Sequence, residues 1–250
     1  FKALGQANTD WQDEIFKTSF STDHNVNVSG AIPHMPYRVS VSYTNENGIL
    51  KTSNMERLTG AISLNPNFFD KKLNIQLNVK GIYNTNRFAD TGAIGMATQY
   101  DPTQPIYMDG NPYGNGYFMY MKSGNNPTPV DIGLANPVSI LDSKHDESTV
   151  YRSIGNAQID YKFHFLPELR ANLNLGYDVS KSEGDVIIED NAPMTWCQGN
   201  YKTGFGENSS YYQLKRNTLL DFYLNYAKEF GAHHVDVMGG YSWQHFYNST

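Results

Sequence analysis

A strict alternation of apolar and polar residues constrains this chain more than any other feature of its sequence. Residues 37–44 read Tyr-Arg-Val-Ser-Val-Ser-Tyr-Thr, so every odd position is apolar or aromatic and every even position is polar. Residues 73–80 and 169–175 repeat the pattern. Because successive side chains of a β-strand point to opposite faces, this period of two predicts strands with one apolar and one polar face.

Eight long strands are expected from this pattern. Several of them have ten or more residues, whereas strands of globular proteins usually have about five or six. A tilted strand that crosses a membrane needs about 9–11 residues. The lengths therefore favour an all-β, antiparallel membrane barrel. The predicted strands are residues 22–31, 36–45, 56–65, 73–86, 149–164, 169–182, 211–228 and 234–247.

The connections between these strands alternate in length. The short ones are residues 31–35, 65–72, 165–168 and 229–233, and the long ones are residues 45–55, 87–148 and 183–210. Short turns on one side and long loops on the other are typical of outer-membrane barrels, whose long loops lie outside the cell. In that layout the first strand runs toward the periplasm, so the chain is expected to begin in the middle of a barrel.

Two other folds and functions remain open at this point. A soluble, exported β-sandwich that binds glycans also alternates, with its apolar face in a core. A barrel in the outer membrane that transports nothing would show the same strands. Aromatic residues at the ends of the apolar stripes, such as Tyr37 and Tyr43 around Val39 and Val41, favour a membrane barrel with interfacial girdles. Arg216 lies on an apolar face, and we expect it above the bilayer, because an Arg at the midplane costs about 2–4 kcal/mol.

The sequence lacks the signs of an enzyme, a metal site or a nucleic-acid binder. It contains no G-x-S-x-G, H-E-x-x-H or Walker motif, so no catalytic residue and no cofactor is expected. The adjacent His233 and His234 would point to opposite faces, and residues 109–120 lack the ligands of a calcium loop, so no metal is expected. The net charge of −6 is spread along the chain, whereas a nucleic-acid binder would show a basic patch.

The long loop at residues 87–148 is the candidate binding segment. It is rich in aromatic residues among Gly, Asn and Pro, and loops beyond about 15 residues are usually functional or disordered. Flat rings with nearby amides suit a sugar ring or a peptide, although the rings could instead pack the loop itself or contact a partner. The candidate substrate-binding residues are Tyr100, Tyr107, Tyr113, Tyr117, Phe118 and Tyr120 in this loop, and Trp196 and Tyr201 in the loop at residues 183–210.

Several short segments resemble the SusC-like TonB-dependent outer-membrane transporters. They are residues 8–16, 21–30, 43–51, 86–90, 101–105 and 136–138, and the similarity runs from about residue 8 to the end. The resemblance implies that residues 1–250 form part of a barrel of about 22 strands around a plug domain. It also implies import of a glycan or peptide nutrient, energy from the TonB complex through the plug, and a SusD-like surface lipoprotein over the barrel mouth.

Overall fold

The computed structural model describes residues 4–197 and 203–250. In these residues nine strands form one antiparallel sheet, in which the neighbours follow the order β1-β2-β3-β5-β6-β7-β8-β9 and β4 pairs beside β5. A single sheet is not the two packed sheets of a β-sandwich, so that alternative is wrong. The strands are β1 Thr22–Ile32, β2 Met35–Asn47, β3 Asn54–Leu64, β4 Asn67–Phe68, β5 Leu73–Arg87, β6 Lys144–Lys162, β7 Leu169–Ile188, β8 Glu207–Phe230 and β9 His233–Ser249.

The helices are short and lie outside the sheet. In the described residues they are α1 Trp11–Ile15, α2 Gly92–Gln99, α3 Pro137–Ser143 and α4 Met194–Cys197, with a 3₁₀ turn at Gly114–Gly116. Within the same part of the chain, none of them has the length and apolar character needed to cross a membrane.

All eight predicted strands are present, but three of them are longer by four or more residues at the end that carries the long loops. β6 begins at Lys144 rather than residue 149, β7 ends at Ile188 rather than residue 182, and β8 begins at Glu207 rather than residue 211. Residues 144–148 and 207–210 are polar on both faces, and residues 183–188 change from polar Glu-Gly-Asp to apolar Val-Ile-Ile, so none of these extensions alternates. Their backbones nevertheless continue the ladder of hydrogen bonds. The two long loops therefore shorten to residues 88–143 and 189–206. The two-residue β4 lies inside a connection predicted to be a plain turn.

The strand register sorts the side chains into one apolar and one polar face. Val39 pairs with Ile62, which pairs with Val79, and Val79 is 48% exposed because no part of the described chain covers it. On the opposite face Asn78 donates to Asn156 Oδ1 (3.1 Å). A sheet with an uncovered apolar face and a hydrogen-bonded polar face matches the two environments of a membrane barrel wall.

The register also fixes the tilt of the strands. When the paired residues are followed from strand to strand across the sheet, six steps lead from Tyr37 in β2 to Trp243 in β9. Tyr37 lies two residues after the start of β2, whereas Trp243 lies ten residues after the start of β9. This stagger of eight residues, at about 3.3 Å per residue and about 4.8 Å between strands, corresponds to a tilt of roughly 40°. Strands of outer-membrane barrels tilt by about 35–45°.

The long loop, residues 88–143, is closed at its base. The Phe88 amide donates to the Asp146 carbonyl oxygen (2.8 Å), which joins the two strands that flank the loop. Directly above, Lys144 Nζ lies 2.9 Å from Asp90 Oδ2, and both side chains are largely buried. The two roots are therefore held together, and the loop folds back over the end of the sheet.

Candidate functional site: the aromatic loop cluster

The segment that precedes the first strand packs under the long loop. Asp10 caps α1 by accepting hydrogen bonds from the amides of Gln12 and Asp13, and this turns Trp11 and Ile15 inward, where they are 3% and 0% exposed. Trp11 Nε1 donates to the Asp101 carbonyl oxygen (3.0 Å). Asp10 and Asp13 stay exposed. The apolar pair four residues apart is the helix face that enters the core.

A rigid turn at residues 101–105 follows α2 in the long loop. Asp101 Oδ1 accepts hydrogen bonds from the Thr103 amide (2.9 Å) and hydroxyl (2.8 Å), and Gln104 Nε2 donates to Asp101 Oδ2 (3.0 Å). These hydrogen bonds, that of Gln104 foremost, favour the ionised form and lower the pKa of Asp101 below its usual value. The turn therefore holds a fixed carboxylate beside the aromatic rings.

Three of the predicted rings pack against one another. Tyr100 is 4% exposed, its ring lies edge-on to Trp11 at 4.6 Å between centroids, and its hydroxyl donates to the Phe118 carbonyl oxygen (3.2 Å). The rings of Phe118 and Tyr120 lie 5.4 Å apart in the same edge-to-face arrangement. Burial raises the pKa of Tyr100, so its phenol stays neutral. Tyr100 is thus placed as a support under the other rings.

A second group of rings lies nearer to solvent. Tyr107 is 59% exposed, and its ring lies 5.3 Å from that of Tyr117. The Tyr117 hydroxyl donates to Asp142 Oδ2 (2.8 Å), at the end of α3. Partial burial raises the pKa of Tyr117, and the hydrogen bond to Asp142 raises it further. One open ring beside an oriented phenol and carboxylate can stack on a flat ligand and hydrogen-bond its edge.

The two long loops contact each other through one candidate residue from each loop. The rings of Tyr113 and Trp196 meet edge to face at 5.0 Å. Asn191 accepts a hydrogen bond from Trp196 Nε1 (3.0 Å) and donates to the Pro112 carbonyl oxygen (3.0 Å), while Asn115 donates to the backbone of Asp190 (2.8 Å). Tyr201, the remaining candidate, lies outside the described residues.

The exit from the long loop is fixed by a buried asparagine. Asn136 is 0% exposed, accepts hydrogen bonds from the Val138 and Ser139 amides as the cap of α3, and donates to the Ile106 carbonyl oxygen (2.9 Å). Nearby, burial raises the pKa of the Cys197 thiol to about 12, so this cysteine is an inert packing residue. Sequence reasoning assigned no role to Asn136, although Asn before Pro-Val-Ser is a recognisable helix cap.

The seven candidates that the structure describes differ in exposure. Tyr100 is buried, Tyr107 is exposed, and the remaining described rings are half-buried between them. The described residues contain no group of three or more His, Cys, Asp or Glu side chains that could hold a metal ion. Whether the open rings contact a substrate stays a prediction.

Comparison with known proteins gives this geometry a context. No family model matches the chain. It is 40% identical to the TonB-dependent receptor SusC of Bacteroides thetaiotaomicron over 256 aligned residues, which cover 98% of this chain and 25% of that protein. It is 28% identical to the TonB-dependent receptor P3 of Formosa agariphila, again over 98% of this chain and 23% of the relative. The chain therefore spans about a quarter of the length of these curated relatives.

Solved structures share the fold. The RagAB peptide importer in its closed-closed state superposes with a TM-score of 0.69 at 15% identity, over 97% of this chain and 26% of that one. Its open-open state gives the same TM-score at 17% identity, over 98% and 26%. The sequence match and the shared sheet agree with the strand tilt and the two-faced wall. The chain belongs to the SusC-like TonB-dependent receptors of the outer membrane and corresponds to part of their β-barrel.

Proposed function

We propose that this chain forms part of the wall and mouth of a TonB-dependent importer that carries a glycan or peptide nutrient across the outer membrane. The observation that carries the proposal is the aromatic loop cluster, which is built over one end of the sheet by both long loops. Its open ring at Tyr107, with Tyr117 and Asp142 beside it, offers stacking and hydrogen bonding together. The 40% identity to SusC supports the same function.

The long loops lie outside the cell in this proposal. The short turns all lie at the opposite end of the sheet, which is the periplasmic end of an outer-membrane barrel. A SusD-like lipoprotein would close over the cluster, and the TonB complex would act through a plug domain. Binding, lid closure and plug displacement need no covalent step, so the residues named here bind and orient the nutrient.

Peptides and glycans both remain as nutrients within the proposal. The structural relative RagAB is a peptide importer, and exposed tyrosine rings beside a carboxylate also suit the faces and hydroxyls of sugars. The rival function is a barrel of the same fold that transports nothing. Uptake of the nutrient by cells separates the two functions, because only an importer supports it.

The test replaces the open ring and its neighbour in the full-length protein. We expect Tyr107→Ala combined with Tyr117→Ala to weaken uptake or lipoprotein association about tenfold or more, because each stacked ring contributes about 0.5–1.5 kcal/mol. The matched control is Phe165→Ala, which removes an 81% exposed ring at the opposite end of the sheet. Growth on the nutrient and co-purification of the lipoprotein are the measurements.

A labelling experiment tests the orientation separately. Ser123 lies at the exposed tip of the long loop, so Ser123→Cys should react with an impermeant maleimide on intact cells. Labelling only after the outer membrane is breached would invert the proposed topology. If Ser123→Cys is labelled on intact cells and the double ring variant still grows normally on the nutrient, the orientation is supported and the rings are rejected as a binding site.

A further inference from the structure

Two cations lie together on the apolar face of the sheet at the end that carries the long loops. The register pairs Val179 with Arg216 and Lys181 with Leu214, so Lys181 and Arg216 are diagonal neighbours on β7 and β8 and share the face of Leu175 and Leu220. Diagonal neighbours on one face of a pair of strands lie about 7–8 Å apart, within reach of long side chains. The two cations can therefore contact one anion.

Their height places them at the upper edge of the membrane. Lys181 is twelve residues from the turn end of β7 and Arg216 fourteen residues from that of β8, which at the tilt of the strands is roughly 30–35 Å. The apolar band of an outer-membrane barrel is about 25 Å tall. Both cations thus lie just above the hydrocarbon, at the level of lipid headgroups.

Aromatic rings hold the two cations on the wall. The Arg216 guanidinium lies 5.9 Å from the centre of the Tyr247 ring, and Lys181 Nζ lies 5.7 Å from that of Tyr212. In the described part of the chain, Arg216 forms no ion pair, and its neighbours on this face of β8 and β9 carry no carboxylate. Its positive charge is therefore available to an anion from outside the protein.

Negative charge near the two cations lies on one side only. Glu183 Oε1 lies 2.5 Å from Lys181 Nζ and is two residues farther from the membrane. Together with Glu147 and Asp185 it lines an open cavity of 660 Å³ above the cations, which Tyr151 and Tyr212 also border. An anion would be repelled from this cavity and drawn to Arg216, while uncharged parts of a headgroup would fit above.

We propose that Arg216 and Lys181 form a binding site for the phosphate group of a lipid in the outer leaflet. The acyl chains would lie on the apolar rows below, beside Leu220 and Trp243, and the phosphate would bridge the two cations. The site faces lipid rather than the barrel mouth, so it is independent of which nutrient is imported. Arg216 is the principal ligand of the phosphate, because Lys181 also forms an ion pair with Glu183.

The experiment titrates the purified full-length protein in detergent with lipid A that carries its phosphates and reads bound lipid by native mass spectrometry. Arg216→Gln should weaken binding about fivefold to tenfold, since a basic residue at a membrane surface contributes about 1 kcal/mol to binding an anionic lipid. Lys181→Gln should have a smaller effect. Glu183→Gln should tighten binding, because it frees Lys181 and removes a repelling charge.

Three controls can overturn the proposal. Lys215→Gln removes a cation from the adjacent position of β8 on the opposite face, and an equal loss of binding there would show that only net charge matters. Equal binding of lipid A after enzymatic removal of its phosphates would reject phosphate recognition. Competition by inorganic phosphate as effective as competition by the lipid would mean a site for a free anion, which also rejects a lipid site.

Discussion

At the residue scale, Asn191 connects two loops that are far apart in the sequence. Its backbone has a positive φ of 62°, which Asn tolerates better than most residues, and its side chain touches both Trp196 and the Pro112 carbonyl oxygen. The second loop can reach the first only while this turn keeps its shape. One side chain therefore sets the spacing of the candidate rings on both loops.

We expect Asn191→Ala to loosen both loops, because it removes two hydrogen bonds and adds strain at positive φ. The loss of local stability should be about 1–3 kcal/mol. Hydrogen exchange of the full-length protein, read over residues 111–117 and 189–197, measures it. Asn191→Gly keeps the backbone shape and loses only the hydrogen bonds, so it should be milder. No change in exchange in either variant would mean that the loops are held elsewhere.

The pKa values of Tyr100 and Tyr117 are raised, so the folded loop favours their neutral phenols. The stability that follows is complete below the ordinary tyrosine pKa of about 10 and is lost as the pH rises through the raised values. In an alkaline titration followed by tyrosinate absorbance, a late phase at the highest pH reports these two phenols. We expect the absorbance change of this late phase to be smaller in Tyr117→Phe and in Tyr100→Phe. An unchanged late phase in both variants would contradict the burial of these phenols.

At the scale of the elements, the two faces of β5 should respond oppositely to charge. Leu77→Arg puts a cation on the lipid-facing row and should cost about 2–4 kcal/mol near the midplane, whereas Asn78→Arg puts it on the hydrogen-bonded polar face. We expect the first change to reduce assembly of the full-length protein in the outer membrane far more than the second. Heat-modifiable mobility in gels measures folded barrel, and equal yields would count against the assignment of the faces.

The elements also show what the sequence could and could not predict. Alternation located every long strand, because burial against lipid requires it. It failed over residues 144–148, where both faces are polar, and over residues 183–188, where three polar or small residues are followed by three apolar ones. The site was harder to predict. Its aromatic residues were visible, whereas the hydrogen bond from Trp11 to a carbonyl oxygen ninety positions away depends on tertiary contact. Asn136 donates to a carbonyl oxygen thirty positions away in its own loop, and Asn191 donates to one in the other loop. No local pattern encodes either of these contacts.

At the scale of the whole molecule, the strand tilt derived from the register agrees with the position of the aromatic residues at the edge of the apolar band. A tilt of roughly 40° places the tyrosines Tyr83 and Tyr151, which pair across β5 and β6, near the upper end of the band. We expect polarised infrared spectra of the full-length protein in oriented bilayers to give a mean strand tilt near this value. Strands parallel to the membrane normal would be incompatible with the register found here.

The closed base of the long loop has a further consequence for how such a protein can diversify. Closing a flexible loop becomes less favourable only slowly with length, by about 0.6 kcal/mol for each doubling. The exposed tip beyond the Met121–Pro129 bridge stands apart from the roots at Phe88 and Lys144. Insertions between Gly124 and Asn125 can therefore accumulate at little thermodynamic cost, so new recognition surfaces can be sampled by mutation while the wall beneath them keeps folding unchanged.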